Sequence, residues 1–349
     1  MIIVKEKILG RTGLKIRTLG FGGIPIQRTS EKESIEVVRH CYDLGMNYFD
    51  TARGYTVSEE RIGKALEDVR QEVIIATKSG RRTAEEVEKE LETSLKNLRT
   101  DYIDVYQLHN VTYQEQWDQV RAPGGAMEAM NKAKEEGKIR HISVTSHNPD
   151  LSLDLVRSGL FETLMIPYNY LTPKPAEKLL PLCQELDVGT IIMKPFGGGA
   201  FSNANTALKY VYNNPDTDLV IPGVMSIAEI DENWKVWQGD LTLTPDELEL
   251  IERDKKELGN QFCRGCNYCQ PCPQEIPISY VLRAEKQMLR RMGWSDSRVE
   301  GLKNAFEKVD TCIECGACES KCPYELPIIT LLPEAVASLK VHMKNRTIP

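Results

Sequence analysis

Positive charge is in deficit in this 349-residue chain, where 44 Lys and Arg face 51 Asp and Glu for a formal charge of −7. Non-specific nucleic-acid affinity comes from clustered cations, so this balance argues against a nucleic-acid partner. Long apolar runs are also missing. The start, MIIVKEKILGRTGLK, holds no apolar core of signal-peptide length, and the late stretch LPIITLLPEAVASL is broken by Pro333 and Glu334. We therefore expect no membrane span and a cytoplasmic protein. The dinucleotide fingerprint GxGxxG is absent where a doubly wound sheet needs it: GFGGIP lacks that spacing and opens no immediate helix. Neither an HExxH zinc helix nor a Ser/His/Asp set stands out.

What is present is regular alternation. From about residue 18 to 240, short β-branched runs alternate with amphipathic helical runs, the pattern of repeated βα units around a parallel sheet. The expected strands are TLGF (18–21), NYFD (47–50), VIIATK (73–78), IDVYQLH (103–109), HISVTS (141–146), TLMIPY (163–168), TIIMKP (190–195) and LVIPG (219–223). Eight strands suffice to close a barrel. KILGRTGLKI predicts a short hairpin around a Gly-containing turn, plugging the barrel bottom. After TPDELELIERDKKELG (244–259) the composition shifts to Cys and Pro, which places a domain boundary near residue 260. The expected fold class is α/β: a (β/α)8 TIM barrel with an N-terminal β-hairpin plug over 1–259, then a mostly α-helical, cysteine-rich domain over 260–349. In the tail, IPISYVLRAEKQMLRRMGWSDSRVEGLKNAFEKV reads as two helices interrupted near Gly293–Ser295.

Polar residues at the C-terminal ends of barrel strands point into the mouth, where barrel enzymes work. Four stand there or just beyond: Asp50 ending NYFD, Tyr55 in DTARGY, Lys78 ending VIIATK and His109 ending IDVYQLH. A phenol is a poor proton donor near neutrality unless a nearby cation stabilises its phenolate. Lys78 supplies such a cation, Asp50 an ion pair to hold it, and His109 a neutral imidazole to orient a carbonyl oxygen. Each residue alone reads equally as a rim salt bridge or as packing; four at the ends of three successive strands read as catalytic.

FDTARGY, TKSG and QLHN, with IRHISVTSHN and LVIPGVMSIAEIDEN, resemble the aldo/keto reductases over residues 5–240. The resemblance implies a (β/α)8 barrel and NAD(H) or NADP(H) as cofactor. It also implies a tetrad at Asp50, Tyr55, Lys78 and His109 that interconverts a small-molecule carbonyl and alcohol. By the same resemblance the nicotinamide meets Thr145, Ser146, Met165 and Met193, while Ser226, Glu232 and Asn233 serve the ribose, phosphate and adenine. Met165 stands where the family usually presents Gln, and lacks an amide's paired donor and acceptor. Gly223 and Glu229 stand where Lys and Arg commonly clamp a 2′-phosphate, which favours NAD(H). His147 is a candidate substrate contact, and Trp117 lines the mouth or covers the rim.

Eight of the ten cysteines fall in residues 263–322, in the runs Cys263-x2-Cys266-x2-Cys269-x2-Cys272-Pro and Cys312-x2-Cys315-x2-Cys318-x3-Cys322-Pro. A large chain of this kind points to metal rather than disulfides. The second run is the bacterial ferredoxin spacing, and the first is one residue shorter before its last Cys. We expect two [4Fe–4S] clusters in preference to two structural zincs. The ligand exchange of two-cluster ferredoxins pairs Cys263, Cys266 and Cys269 with Cys322, and Cys312, Cys315 and Cys318 with Cys272. The helical spacer resembles the α-helical ferredoxins attached to respiratory reductases. Arg283, Lys286, Arg290 and Arg291 recur at helical spacing beside the clusters, either as a solvated face or as a dock for an acidic ferredoxin or flavodoxin. Cys41 and Cys183 fall in apolar helical patterns and read as core thiols. A competing reading makes the whole chain an iron–sulfur electron carrier or adaptor whose barrel is a docking or sensing scaffold.

Overall fold

The computed structural model describes residues 5–201, 203–289, 292–322 and 324–347. It divides into two compact units, one of residues 1–195 and 204–243, the other of 196–203 and 244–349.

The first unit opens with a hairpin, β1 (Glu6–Ile8) and β2 (Lys15–Arg17), in antiparallel register. Eight parallel strands follow: β3 (Phe21–Gly22), β4 (Tyr48–Asp50), β5 (Ile74–Ser79), β6 (Ile103–Leu108), β7 (Ile139–Thr145), β8 (Thr163–Pro167), β9 (Gly189–Met193) and β10 (Leu219–Ile221). Each pairs with its sequence neighbour. The ring closes between first and last strands, where Gly20 N donates to Val220 O (2.9 Å), Val220 N to Thr18 O (2.9 Å) and Gly22 N to Pro222 O (3.0 Å). Sequential order with closure is the (β/α)8 barrel and excludes the doubly wound sheet. Every residue of β5 and β6 is buried, as a parallel sheet wrapped by helices requires.

The helices start where their caps dictate. Ser30 and Glu33 form a capping box before α1 (Glu31–Asp43), and Asn148 accepts from Asp150 N and Leu151 N before α6 (Pro149–Arg157). Between them run α2 (Ser58–Leu66), α3 (Ala84–Leu98), α4 (Gln114–Arg121) and α5 (Ala126–Glu135). Trp117, on α4, is 4% exposed and meets Phe161, ahead of β8, with ring centroids 5.8 Å apart and planes tilted at 50°. Then come α7 (Pro175–Glu185), α8 (Ala204–Tyr212) and α9 (Ile227–Gln238).

The hairpin is the plug. Leu9 and Ile16 are fully buried in one core with Tyr48, Ile74, Val105, Ile191 and Leu219, each such aliphatic side chain contributing about 1.5–3 kcal/mol. Gly10, at φ +48°, permits this approach, because a β-carbon there would collide with the backbone of Gly189 at the start of β9. Cys41 and Cys183 are fully buried core thiols, the latter pushed up to about 12 by burial.

The second unit begins before the expected boundary, since α10 (Pro245–Leu258) belongs with it. Its core gathers Ile276, Val281, Leu302, Phe306, Leu332 and Leu339. The helix α11 (Ile278–Arg283) continues as a π-helical turn over Ala284–Leu289. A helix over Asp296–Val309 then starts at Ser295, whose hydroxyl caps Arg298 N, so the expected break lies where Gly293–Ser295 suggested. A last helix spans Ile328–Asn345. No helix among the described residues is long and apolar enough to cross a membrane.

Candidate functional site

Asp50 ends β4 and Lys78 lies one residue before the end of β5, each almost fully buried. Lys78 Nζ donates to Asp50 Oδ2 and to Thr51 O, both at 2.6 Å, and Gln107 Nε2 donates to Asp50 Oδ1 at 3.0 Å. Burial pushes the Asp50 carboxyl up, while Lys78 and Gln107 pull it back. Lys78 Nζ also stands 5.1 Å from the ring centroid of Tyr55. His109 follows β6, its N–H donating to Ser79 O at 2.8 Å. Its ring meets Tyr55 edge-on, with centroids 5.8 Å apart and planes at 82°. Burial, then the charges of Lys78, Arg82 and Lys194, push its imidazole from 6.5 down to about 3, so it is neutral in ordinary buffers. The structure thus brings all four expected residues together at the barrel mouth.

Sequence reasoning missed what fixes Tyr55. Glu59, in the first turn of α2, is fully buried. Its Oε1 accepts from Thr77 Oγ1 (2.7 Å) and Ser94 Oγ (2.6 Å), and its Oε2 from Asn97 Nδ2 (3.0 Å) and the Arg53 guanidinium (2.7 Å). Arg53 N in turn donates to Lys78 O at 3.0 Å. Ser58 closes the other end of the loop, accepting from Thr51 Oγ1 (2.9 Å) and donating to Gly23 O (2.8 Å). A buried carboxylate with four donors is a rigid anchor, since every acceptor position it leaves empty would cost desolvation energy.

A second network at the mouth joins Asn110, His147 and Lys194. Asn110 Oδ1 accepts from Thr112 Oγ1 (3.0 Å) and from His147 Nδ1 (2.8 Å), which leaves His147 Nε2 to accept from Lys194 Nζ. Asn110 and Lys194 both take left-handed backbone, at φ 59° and 57°, a conformation disfavoured for a residue with a β-carbon. The strand-end argument that singles out Lys78 applies equally to Lys194, just past β9.

The expected nicotinamide positions fall on β7 to β9. Thr145 Oγ1 accepts from Asn110 N at 2.7 Å, and Ser146 Oγ from Asn148 N at 3.1 Å. The ladder pairs Thr145 with Met165. Met165 is buried in the barrel-interior core, and Met193 packs against that core while half-buried. At α9, Ser226 Oγ accepts from Glu229 N (3.3 Å) and Glu229 Oε2 from Met225 N (2.8 Å), so a carboxylate already occupies the helix start. Glu232 is exposed and Asn233 buried.

The eight clustered cysteines ring two cavities. One is lined by Cys263, Cys266, Cys269 and Cys322. The other is lined by Cys272, Cys312, Cys315 and Cys318. Ile278 lines both. Among the described residues, no three or more His, Cys, Asp or Glu side chains converge as ligands of a single metal ion do. Sulfurs spread around a cavity suit a polynuclear cluster, whereas a structural zinc draws its thiolates into one tetrahedron. The expected basic face is corrected in part. Arg283 turns inward, so close to Gly265 that a β-carbon there would strike its Nη1, and its charge acts on Cys263 and Cys266. Arg290 and Arg291, and the side chain of Lys286, lie outside the described residues.

Comparison with known proteins follows the same division. The aldo/keto reductase family model matches residues 18–207, more than half the chain, and a 4Fe-4S dicluster domain model matches residues 262–327. L-galactose dehydrogenase of Arabidopsis thaliana is 28% identical over 308 residues, covering 74% of this chain and 93% of that one. Aldo-keto reductase YhdN of Bacillus subtilis is 30% identical over 226 residues, covering 59% and 66%. Among solved structures, the holo form of aldo-keto reductase AKR11C1 from Bacillus halodurans matches with a TM-score of 0.63 at 27% identity, covering 71% of this chain and 95% of that one. The chain belongs to the aldo/keto reductase family of oxidoreductases and carries a 4Fe-4S dicluster domain at its C-terminal side.

Proposed function

We propose that this protein is an NAD(P)-dependent carbonyl/alcohol oxidoreductase with Tyr55 as its acid and base, carrying two [4Fe–4S] clusters. The observation that carries the reading is the buried Lys78 ammonium, held at 2.6 Å by Asp50 and 5.1 Å from the Tyr55 ring. That cation stabilises negative charge developing on the phenol oxygen as its proton passes to the substrate oxygen. Neutral His109 donates a hydrogen bond to the same oxygen and orients it. A bound nicotinamide supplies the two electrons as a hydride to the carbonyl carbon, and alcohol oxidation reverses both transfers. Thr145 accepts from Asn110 N and keeps its hydroxyl proton to donate to a carboxamide, while Met165 offers only apolar contact. Glu229 at the start of α9 disfavours a 2′-phosphate and supports NAD(H).

The cysteine-lined cavities fit clusters in ligand number, four cysteines to each, and in walls that mix aliphatic side chains such as Ile278 with a few polar ones, Arg264, Asn267 and Ser279 at the first and Gln274 at the second. Cys263, Cys266, Cys269 and Cys322 would hold one, and Cys272, Cys312, Cys315 and Cys318 the other. Such groups pass electrons singly, so the clusters communicate with a one-electron partner rather than directly with a hydride donor. Thiolate ligation also suits a reducing, cytoplasmic compartment.

The test is Tyr55→Phe in anaerobically purified, full-length protein. Turnover is abolished while nicotinamide binding, read by fluorescence quenching, persists; wild-type turnover by this variant refutes the assignment. The carrier or adaptor reading draws on Met165 and on the carboxylate at α9. It gains if the wild type binds neither nicotinamide yet accepts electrons through its clusters.

A further inference from the structure

The two cavities differ in charge. Around the first, Cys263, Cys266 and Cys269 are each under 10% exposed, and two guanidinium groups attend them. Arg264 is tied down, donating to Gly259 O (2.6 Å) and Phe262 O (2.7 Å) with its Cζ 4.1 Å from the Tyr324 ring centroid. Arg283 comes from the end of α11 and packs onto Gly265, between two of the ligands. Gly265 takes φ +75°, a left-handed conformation in which glycine alone is free of strain and its missing β-carbon leaves the guanidinium room. Around the second cavity, Cys315 is exposed and Cys272, Cys312 and Cys318 half-buried. No Lys, Arg or His among the described residues lines it, and the carboxylate of Glu319 acts on Cys318.

We propose that Arg283 sets the reduction potential of the cluster held by Cys263, Cys266, Cys269 and Cys322, making it the more readily reduced of the two. This rests on the reading that both cavities hold [4Fe–4S] clusters. One-electron reduction adds a negative charge to a cluster. Burial opposes that charge, but the Arg283 guanidinium, half-buried and packed onto Gly265 beside Cys263 and Cys266, is screened less than a fully exposed cation and attracts it. The second cavity has the exposed Cys315 and the Glu319 carboxylate beside it instead, and its nearest cation, Lys321, 3.5 Å from Pro271 O next to Cys272, is exposed and screened by solvent. An electron arriving at the exposed site from a one-electron donor therefore moves inward past Ile278 and rests on the buried one. The inward turn of Arg283 is thus a function in itself, distinct from docking a partner. It acts as a positioning residue for charge and ligates nothing.

The experiment is a potentiometric titration of anaerobically purified, full-length protein with dithionite, followed by electron paramagnetic resonance. Wild type gives two separated waves. Arg283→Met shifts the higher wave to lower potential, by at least a tenfold change in the reduced-to-oxidised ratio at fixed potential, which is 59 mV for one electron. The lower wave stays in place, and Arg283→Lys keeps most of the wild-type value. Coincident wild-type waves overturn the proposal whatever the variants do, as does an equal shift of both waves or no shift in a variant with full iron content. Absence of any [4Fe–4S] signal from the wild type refutes the cluster reading instead.

Discussion

Replacing Lys78 by Met tests the central ion pair directly. Lys78 is 1% exposed and Asp50 3%, and Nζ makes two 2.6 Å hydrogen bonds, one to the carboxylate and one to Thr51 O. In Lys78→Met the carboxylate stays buried with Gln107 as its remaining side-chain donor, and Thr51 O loses its ammonium. Breaking a buried pair from one side costs about 3–5 kcal/mol, whereas an apolar pair of similar volume is close to neutral. Lys78→Met is therefore destabilised by about 3–5 kcal/mol, and Lys78→Met/Asp50→Leu recovers most of that loss. Urea unfolding followed by tryptophan emission reads the barrel, because Trp117, Trp234 and Trp237 lie in its unit and only Trp294 in the other. Neither variant turns over carbonyl substrate, so stability returns in the double variant without activity. A cost under about 1 kcal/mol, as for an exposed pair, would sink the argument. So would a double variant no more stable than Lys78→Met, and turnover by either variant removes the cation's role.

Glu59→Ala frees the Arg53 end of the Tyr55 loop at a cost of about 3 kcal/mol and lowers kcat more than it changes KM; undiminished kcat by steady-state assay counts against the anchor. Glu229→Gln removes a carboxylate from the start of α9 and tightens NADPH relative to NADH about tenfold, about 1.4 kcal/mol, as read by fluorescence quenching; an unchanged ratio means Glu229 does not govern the choice. His109 titrates near 3 when folded and near 6.5 when unfolded, so the unfolded chain takes its proton first. Its contribution to stability is complete above about pH 6.5 and is lost as pH falls toward 3. Its ring resonances accordingly stay flat between pH 5 and 8 by NMR, and a midpoint near 6.5 contradicts the buried, cation-flanked imidazole.

The barrel, and the gathering of Asp50, Tyr55, Lys78 and His109 at its mouth, were legible because both depend on local pattern. Strand ends fix which side chains reach the mouth, and βα alternation fixes strand order. The grouping of cysteines was legible too, since three at two-residue spacing face one cavity and leave its fourth cysteine to come from elsewhere. Glu59 was not, because its burial depends on Thr77 and on Ser94 and Asn97 from two other elements. Nothing near it in sequence distinguishes it from the exposed Glu60 beside it. Arg283 was misread for a related reason: helical spacing describes an ideal face, and neither the glycine gap at 265 nor the π-helical turn after α11 shows in that periodicity. The unit boundary shifted to Thr244 because amphipathicity marks α10 as a helix without naming what it packs against.

The crosswise sharing of cysteines has a consequence for how the protein matures. Each cavity takes three sulfurs from one segment and one from the other, so neither half of the tail can be completed before its counterpart. A cluster held by either set of four cysteines would tie both segments together and so prearrange the other set. Filling and loss of the two sites would accordingly be linked through the chain, each site holding down a segment that the other needs.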